Sequence, residues 1–325
     1  MIRFGVIGAG RIAQTFSDAV KGVNDAELYA VASRDLEKAQ AFKSQHQYKH
    51  AYGSYEAMLE DSNVDCVYIA TPHGLHYEQM LKCLEYNKPI LCEKAFTLNA
   101  TQAKHVFDIA RKKNLFVMEA MWTRFLPVIQ AVKEIIADGV IGEIKHLDIT
   151  FGFHTEAEDR DRIFNPSLGG GALLDIGIYP LTLADMLLGA PEKVETTVKK
   201  HPRTGVDIHE TMTLSYKNAS AQITAAFDEN LPNDAKIIGS KGTIVIPFFW
   251  QAEEAYIYDD KQNLCEKLSF PHPVNGFEYE IEAVVYCLKN NFKESPIMPH
   301  TKTIAMLNQM DALRKAWLIN YPNEL

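Results

Sequence analysis

Short apolar runs recur along the first third of the chain, at 2–7, 28–32, 64–70, 90–92 and 115–118. The gaps between them carry helix-period patterns, as at 36–42 and 77–84. Apolar runs bounded in this way predict buried strands, and strands alternating with such helices predict a parallel sheet covered on both faces. Asn99 followed by Gln102 marks a helix start, an N-cap with a partner three residues on. The pattern changes after residue 121. A helix is expected over 125–137, with Pro127 in a first turn that has no donor to lose. A long alternating strand at 143–153 follows, then a polar loop with Glu156, Glu158, Asp159, Arg160, Asp161 and Arg162. The run Gly169-Gly170-Gly171 opens an apolar helix over 172–188. Residues 193–270 are strand-rich, with β-branched or aromatic alternation at 211–216, 221–227 and 243–249, and helical patterns return at 278–289 and 303–318. Strands and helices in blocks predict an α+β domain with a largely antiparallel sheet. The expected organisation is an α/β domain over 1–121 and an α+β domain over 122–325.

Composition narrows the function classes. The 325 residues are 47% hydrophobic and 23% charged, with a net charge of −9. That balance fits a globular protein with real cores and opposes general attraction to nucleic acid or an anionic membrane surface. The cysteines, Cys66, Cys83, Cys92, Cys265 and Cys287, are odd in number and form no C-x-x-C pair. Buried free thiols in a reducing compartment are expected. No apolar run approaches the ~18 residues that span a bilayer, and the N-terminus runs straight into a glycine motif without a signal peptide. A cytoplasmic protein is expected.

Gly8-Ala9-Gly10-Arg11-Ile12-Ala13 fits G-x-G-x-x-G/A. The first glycine makes a tight turn, the second admits a pyrophosphate to the backbone, and the small third residue lets helix pack on strand. The helix that begins there, through Arg11, Ile12 and Ala13, aims its N–H groups at the phosphates. Because the motif follows an expected strand and opens an expected helix, the α/β domain reads as a Rossmann dinucleotide-binding domain. The second strand ends in Ser33-Arg34-Asp35, with Lys38 one turn later. Serine and arginine suit a 2′-phosphate, so NADP is preferred. The alternative makes Ser33 a helix cap and leaves Asp35 to hold the ribose of NAD.

Two further stretches carry candidate chemistry. Thr71-Pro72-His73-Gly74-Leu75-His76 forms a turn at a strand's carboxyl end, where His73 and His76 are placed to line the cofactor. No carboxylate or thiol accompanies them at ligand spacing, so no metal site is expected. Residues 90–92 end abruptly in Glu93 and Lys94, at the kind of strand terminus where open sheets bind ligands. On the later apolar helix, Asp175 and Tyr179 stand four residues apart and share a face, with Pro180 expected to kink the helix just after Tyr179.

As a set, four motifs resemble the glucose–fructose oxidoreductase, inositol dehydrogenase and MocA family across essentially the whole chain. They are Gly8-x-Gly10-x-x-Ala13, Thr71-Pro72-x-x-x-His76, Glu93-Lys94 and Gly169-Gly170-Gly171-Ala172-Leu173-x-Asp175-x-Gly177-x-Tyr179-Pro180. Two stretches, 118–125 and 174–179, look like the branch holding dimeric dihydrodiol dehydrogenases and NADP-dependent xylose dehydrogenases. The resemblance implies an open-faced sheet in the second domain, often buried in a homodimer or higher homo-oligomer. It also implies oxidation of a hydroxyl in a sugar, polyol or cyclic diol, or the reverse reduction. Hydride would pass between the carbinol carbon and the nicotinamide, with Lys94 and Tyr179 as the acid/base pair and Asp175 holding Lys94 or a substrate hydroxyl. A tyrosine, at about pKa 10 when unperturbed, is brought towards the useful range by an adjacent ammonium. Which of the two accepts the proton stays open. Trp122 offers a wall for a ring, Arg124 and Arg162 are weaker substrate contacts, and Glu93 binds cofactor or positions the lysine. Relatives that only sense dinucleotide, or that cleave glycosides with NAD as an internal relay, are the alternatives. The family usually has proline after the lysine, where this chain has Ala95. A cis bond at a non-proline residue costs roughly 3–4 kcal/mol, so a trans Lys94–Ala95 peptide is expected.

Overall fold

The computed structural model describes residues 1–158 and 161–324, so Asp159 and Arg160 of the charged loop lie outside the described residues. The chain forms two units, one of Met1–Trp122, His272–Asn308 and Asn323–Leu325, the other of Thr123–Pro271 and Gln309–Pro322.

In the first unit, strands β1 (Ile2–Ile7), β2 (Ala26–Ala32), β3 (His50–Tyr52), β4 (Cys66–Ile69), β5 (Ile90–Glu93) and β6 (Val117–Ala120) form one sheet in the order β3-β2-β1-β4-β5-β6. Every neighbouring pair is parallel. This is the doubly wound order of dinucleotide-binding domains. All residues of β4, β5 and β6 are buried, which is why they read as unbroken apolar runs rather than alternation. Between the strands run α1 (Arg11–Val20), α2 (Leu36–His46), α3 (Tyr55–Leu59), α4 (His76–Glu85) and α5 (Ala100–Lys113). The short β3 and α3 had no periodicity long enough to predict them. Asn99 caps α5 by accepting from the Gln102 N–H at 2.9 Å, while the Gln102 side chain reaches back to the Leu98 N–H at 3.1 Å. Cys66, Cys83, Cys92 and Cys287 are buried free thiols, and Cys265 is exposed.

The sequence pattern ran the second domain unbroken to residue 325, whereas 272–308 belongs to the first unit. Helix α8 (Glu278–Lys289) buries Ile281 and Val284 there. The Glu278 carboxylate accepts the N–H groups of Val274, Asn275 and Gly276, and the Asn275 side chain bonds the Thr15 carbonyl on α1 at 3.0 Å. An apolar helix face announces that it will be buried, but not against which sheet.

The second unit is built on eight strands: β7 (Ile144–Gly152), β8 (Lys193–Lys200), β9 (Asp207–Ser215), β10 (Ser220–Ala226), β11 (Asp234–Gly239), β12 (Gly242–Pro247), β13 (Glu254–Asp259) and β14 (Leu264–Ser269). Their order is β14-β13-β12-β11-β7-β10-β9-β8. Only β7 and β10 pair in parallel; the other pairs are antiparallel. Leu147, Ile149, Met212, Leu214, Ile223 and Ile244 are buried, and Thr211, Thr213, Gln222 and Thr224 alternate with them at half exposure. Helix α6 (Pro127–Ala137) starts with Pro127 in its first turn. A π-helical turn (Leu173–Gly177) leads into α7 (Ile178–Leu188). Among the described residues one helical stretch, Pro166–Leu188, has the length and composition to cross a membrane, but 78% of its most apolar window is buried inside the protein. It is a core element of this unit.

Candidate active site

The strand order of the first sheet reverses between β1 and β4, where ligands of doubly wound folds bind. Gly8 follows β1 at φ +102°, and a Cβ there would stand 2.9 Å from the Ala70 carbonyl oxygen. Glycine is required for both reasons. Gly10 is different. Its φ of −109° suits any residue, and a Cβ would meet nothing within 4 Å. The space beside it is open, as a pyrophosphate approaching the backbone needs. Helix α1 starts there without a side-chain cap or an acid in its first turn, and Ala13 is fully buried. These features fit an anion held on the N–H groups of Arg11, Ile12 and Ala13.

At the end of β2 the two expected roles divide between residues. Asp35, not Ser33, caps α2, accepting the Lys38 N–H at 3.2 Å. Ser33 accepts the Asp35 N–H at 3.2 Å. Arg34 and Lys38 are exposed.

Thr71, Pro72, His73 and His76 lie at the end of β4, with His73–Leu75 a short 3₁₀ turn. The Thr71 hydroxyl donates to Gln79 at 2.6 Å. His76 is fully buried, with one ring nitrogen 2.8 Å from the Thr71 carbonyl and the other 3.0 Å from that of Ala95. Burial pushes its pKa down, against the pull of those carbonyls. One imidazole thus ties the Thr71 turn to the segment after β5.

In 91–100, Lys94 alone is not buried. Its peptide to Ala95 is cis, so the trans expectation is overturned. Surroundings rather than residue type decide the conformation. Ala95 and Phe96 are fully buried, the Ala95 carbonyl faces His76, and the Phe96 N–H donates to Glu119 at 3.2 Å. Glu93, the residue before the lysine, is buried and takes a hydrogen bond from the Tyr68 hydroxyl. Burial raises its pKa despite the nearby Lys94 charge. Trp122 is buried on Phe277, ring centroids 4.7 Å apart.

In the second unit the interval from Asp175 to Tyr179 is not one turn of regular α-helix. The turn through Asp175 is π-helical, and the irregularity lies before Tyr179 instead of after it; α7 continues through Pro180. Asp175 is nearly buried and pairs with Arg162 at 3.1 Å. Two residues expected to contact substrate separately are therefore brought together. Arg124 is nearly buried and pairs with Asp185 on α7 at 3.7 Å. The Tyr179 ring lies 5.8 Å from Phe151, which stacks on Trp250 at 3.8 Å. Among the described residues no cluster of three or more His, Cys, Asp or Glu is placed to hold a metal ion.

Residues 2–121 match the oxidoreductase family with an NAD-binding Rossmann fold, and residues 129–245 match the GFO/IDH/MocA C-terminal domain. The chain is 33% identical to the trans-1,2-dihydrobenzene-1,2-diol dehydrogenase of Mus musculus, with 99% of each chain covered. It is 35% identical to the enzyme of that name in Xenopus tropicalis, covering 98% of this chain and 99% of that one. The chain belongs to the GFO/IDH/MocA oxidoreductase family. KijD10, a 3-ketoreductase from Actinomadura kijaniata crystallised with NADP and TDP-benzene, superposes with a TM-score of 0.87 at 27% identity over 97% of both chains. The aldose-aldose oxidoreductase from Caulobacter crescentus shares the fold, with a TM-score of 0.88 at 23% identity over 98% of this chain and 97% of that one.

In this GFO/IDH/MocA oxidoreductase the sequence reading missed several residues beside the expected ones. Phe151 reads as one more inward residue of an alternating strand, and Trp250 follows Phe248 and Phe249 in a run that reads as strand. Glu280 gave no signal, because a glutamate in an amphipathic helix normally faces water. It is fully buried on α8 with no hydrogen-bond donor at either oxygen. Burial, then the charge of Glu93, drive its pKa well up. Folded protein therefore keeps a proton that unfolded chain releases above about pH 4.5, so stability falls as pH rises from there towards the folded pKa. Glu280→Gln removes that requirement. Its melting temperature relative to wild type is expected to rise steadily from pH 5 to pH 8, a slope worth at most about 1.4 kcal/mol per pH unit. A difference independent of pH would show Glu280 to be ionised in the fold.

Proposed function

We propose that this GFO/IDH/MocA oxidoreductase is an NADP-dependent dehydrogenase of a secondary or anomeric hydroxyl on a ring, with a cyclic diol favoured over an open polyol. Lys94 carries the reading. It is the accessible ionisable residue in an otherwise buried stretch, at the carboxyl end of a strand in a sheet whose switch point offers an open phosphate cradle at Gly10. The nicotinamide, when bound, supplies or accepts the hydride. Arg11, Ile12 and Ala13 hold the phosphates, and Ser33, Arg34 and Lys38 take the 2′-phosphate. Asp35 is occupied as a helix cap, which leaves its carboxylate less suited to a ribose hydroxyl. Thr71, Pro72, His73 and His76 line the cofactor, and Glu93 supports Lys94.

Lys94 and Tyr179 serve one substrate hydroxyl, one accepting its proton and the other orienting its oxygen. Asp175, neutralised by Arg162, accepts a hydrogen bond from a neighbouring hydroxyl. Phe151 and Trp250 give an apolar face for a ring, in line with relatives named for a dihydrobenzene diol. Trp122, in the first unit, is a further apolar substrate contact in this reading. The half-exposed side of the second sheet is proposed as a homodimer interface; a single-chain mass by sedimentation would remove that part. The enzymatic test is NADPH formation from NADP and a panel of cyclic diols, pentoses, hexoses and inositols. Turnover is expected with a cyclic diol. Tight NADP binding without turnover on any member would overturn the assignment in favour of a sensor.

A further inference from the structure

The second unit buries two acids that the reaction above does not use. Asp207 and Glu210 on β9 are fully buried, beside the apolar Ile208, Met212 and Leu214 of the same strand. Both meet the π-helical turn. The Leu173 N–H, at the start of that turn, donates to Asp207 at 2.5 Å. Gly177 closes the turn, and a Cβ there would stand 2.6 Å from a Glu210 oxygen. Gly171, just before the turn, has φ +125°, and its Cβ would lie 2.5 Å from the other Asp207 oxygen. Two glycines of the motif are therefore explained by two carboxyl groups rather than by the cofactor or the substrate. Apart from the other carboxyl of the pair, no hydrogen-bond donor reaches that second Asp207 oxygen or either oxygen of Glu210.

We propose that Asp207 and Glu210 are positioning residues, a buried carboxyl pair that clasps both ends of the Leu173–Gly177 turn and so sets where Asp175 and Tyr179 point. The inference rests on the reading of those two as site residues. Two buried anions side by side repel strongly, so the pair is stable with one proton between them. Burial and the Asp207 charge raise the pKa of Glu210 well above its usual range, and burial raises that of Asp207. The facing charge is Arg314 on α9 (His300–Ala316), which draws Asp207 towards its anion. Arg314 itself lies over the Tyr321 ring at 4.7 Å and bonds Asp311 at 2.9 Å. On the turn the titratable group is Asp175, paired with Arg162.

The test compares Glu210→Ala with Glu210→Gln in the full-length protein. Alanine removes the clasp at Gly177, whereas glutamine keeps it through an amide that cannot lose its proton. Expected for alanine is a kcat about 10-fold or more below wild type with the NADP KM unchanged, as for a misplaced catalytic group. Glutamine restores most of that loss. It also removes an alkaline fall in kcat that wild type shows when the shared proton is lost. Wild-type kcat in the alanine variant, or an alkaline limb unchanged by glutamine, would overturn the proposal. Amide hydrogen exchange over 171–179 gives a readout without turnover. Faster exchange confined to that segment in the alanine variant supports the clasp even if no diol is oxidised, while unaltered exchange there overturns it. If alanine does not fold, the pH profile of the glutamine variant still decides.

Discussion

Lys94→Met and Tyr179→Phe are each expected to lower kcat on a turned-over diol by about 10²- to 10⁴-fold, the range that general acid–base groups contribute. Methionine keeps the apolar stem of Lys94 and loses its charge. Phenylalanine keeps the ring that lies 5.8 Å from Phe151 and loses only the hydroxyl. Both variants should therefore fold and bind NADP within a few-fold of wild type, as fluorescence titration would read. The pH profile of the residual activity assigns the roles. The variant that loses the acid-side limb has lost the proton acceptor, and the one that keeps it has lost the group that orients the substrate. Unchanged turnover in both would sink the proposed reaction.

The second large effect concerns the cofactor. Arg34→Ala is expected to weaken NADP binding by roughly 10- to 100-fold and to leave NAD binding nearly unchanged. A guanidinium makes forked, charge-assisted bonds to phosphate, each worth about 1.5–3 kcal/mol. Asp35→Ala should leave the binding of both dinucleotides nearly unchanged. It removes the cap at the Lys38 N–H, at a cost of about 1 kcal/mol of stability, without weakening NADP. Should Asp35→Ala instead destroy NAD binding while Arg34→Ala spares NADP, the acid serves a ribose and the cofactor is NAD. Paired titrations of both dinucleotides against both variants separate the outcomes.

Much of the first unit was legible because its signals are local. Strand β1 and helix α8 have the limits that periodicity predicted, and in the second unit Pro127 stands in a first turn as its missing donor requires. The place of Lys94 was legible for the same reason: an apolar run that ends in two charges is a strand terminus. Other details were ambiguous locally and were resolved by competition between neighbours. Ser33 and Asp35 are both good caps, and the backbone geometry gave the cap to Asp35. Arg162 and Asp175 read as two separate contacts because twelve positions of loop and glycine run stand between them, yet they form one ion pair.

By itself the sequence determined the alternation of the longer strands and helices in the first unit, the glycine turn that follows β1, and the strand terminus just before Lys94. Each of these follows from spacing along the chain, where the periods of helix and strand and the special geometry of glycine and proline act over a few residues. Only the tertiary structure decided the cis peptide after Lys94, the π-helical turn through Asp175, the return of 272–308 to the first unit and the burial of Glu93, Glu280, Asp207 and Glu210. Those features depend on what packs against a segment from far away in the chain. A glutamate has the same pattern on paper whether it meets water or another carboxyl, and its burial, charge state and role are set only when the distant strands and helices close around it.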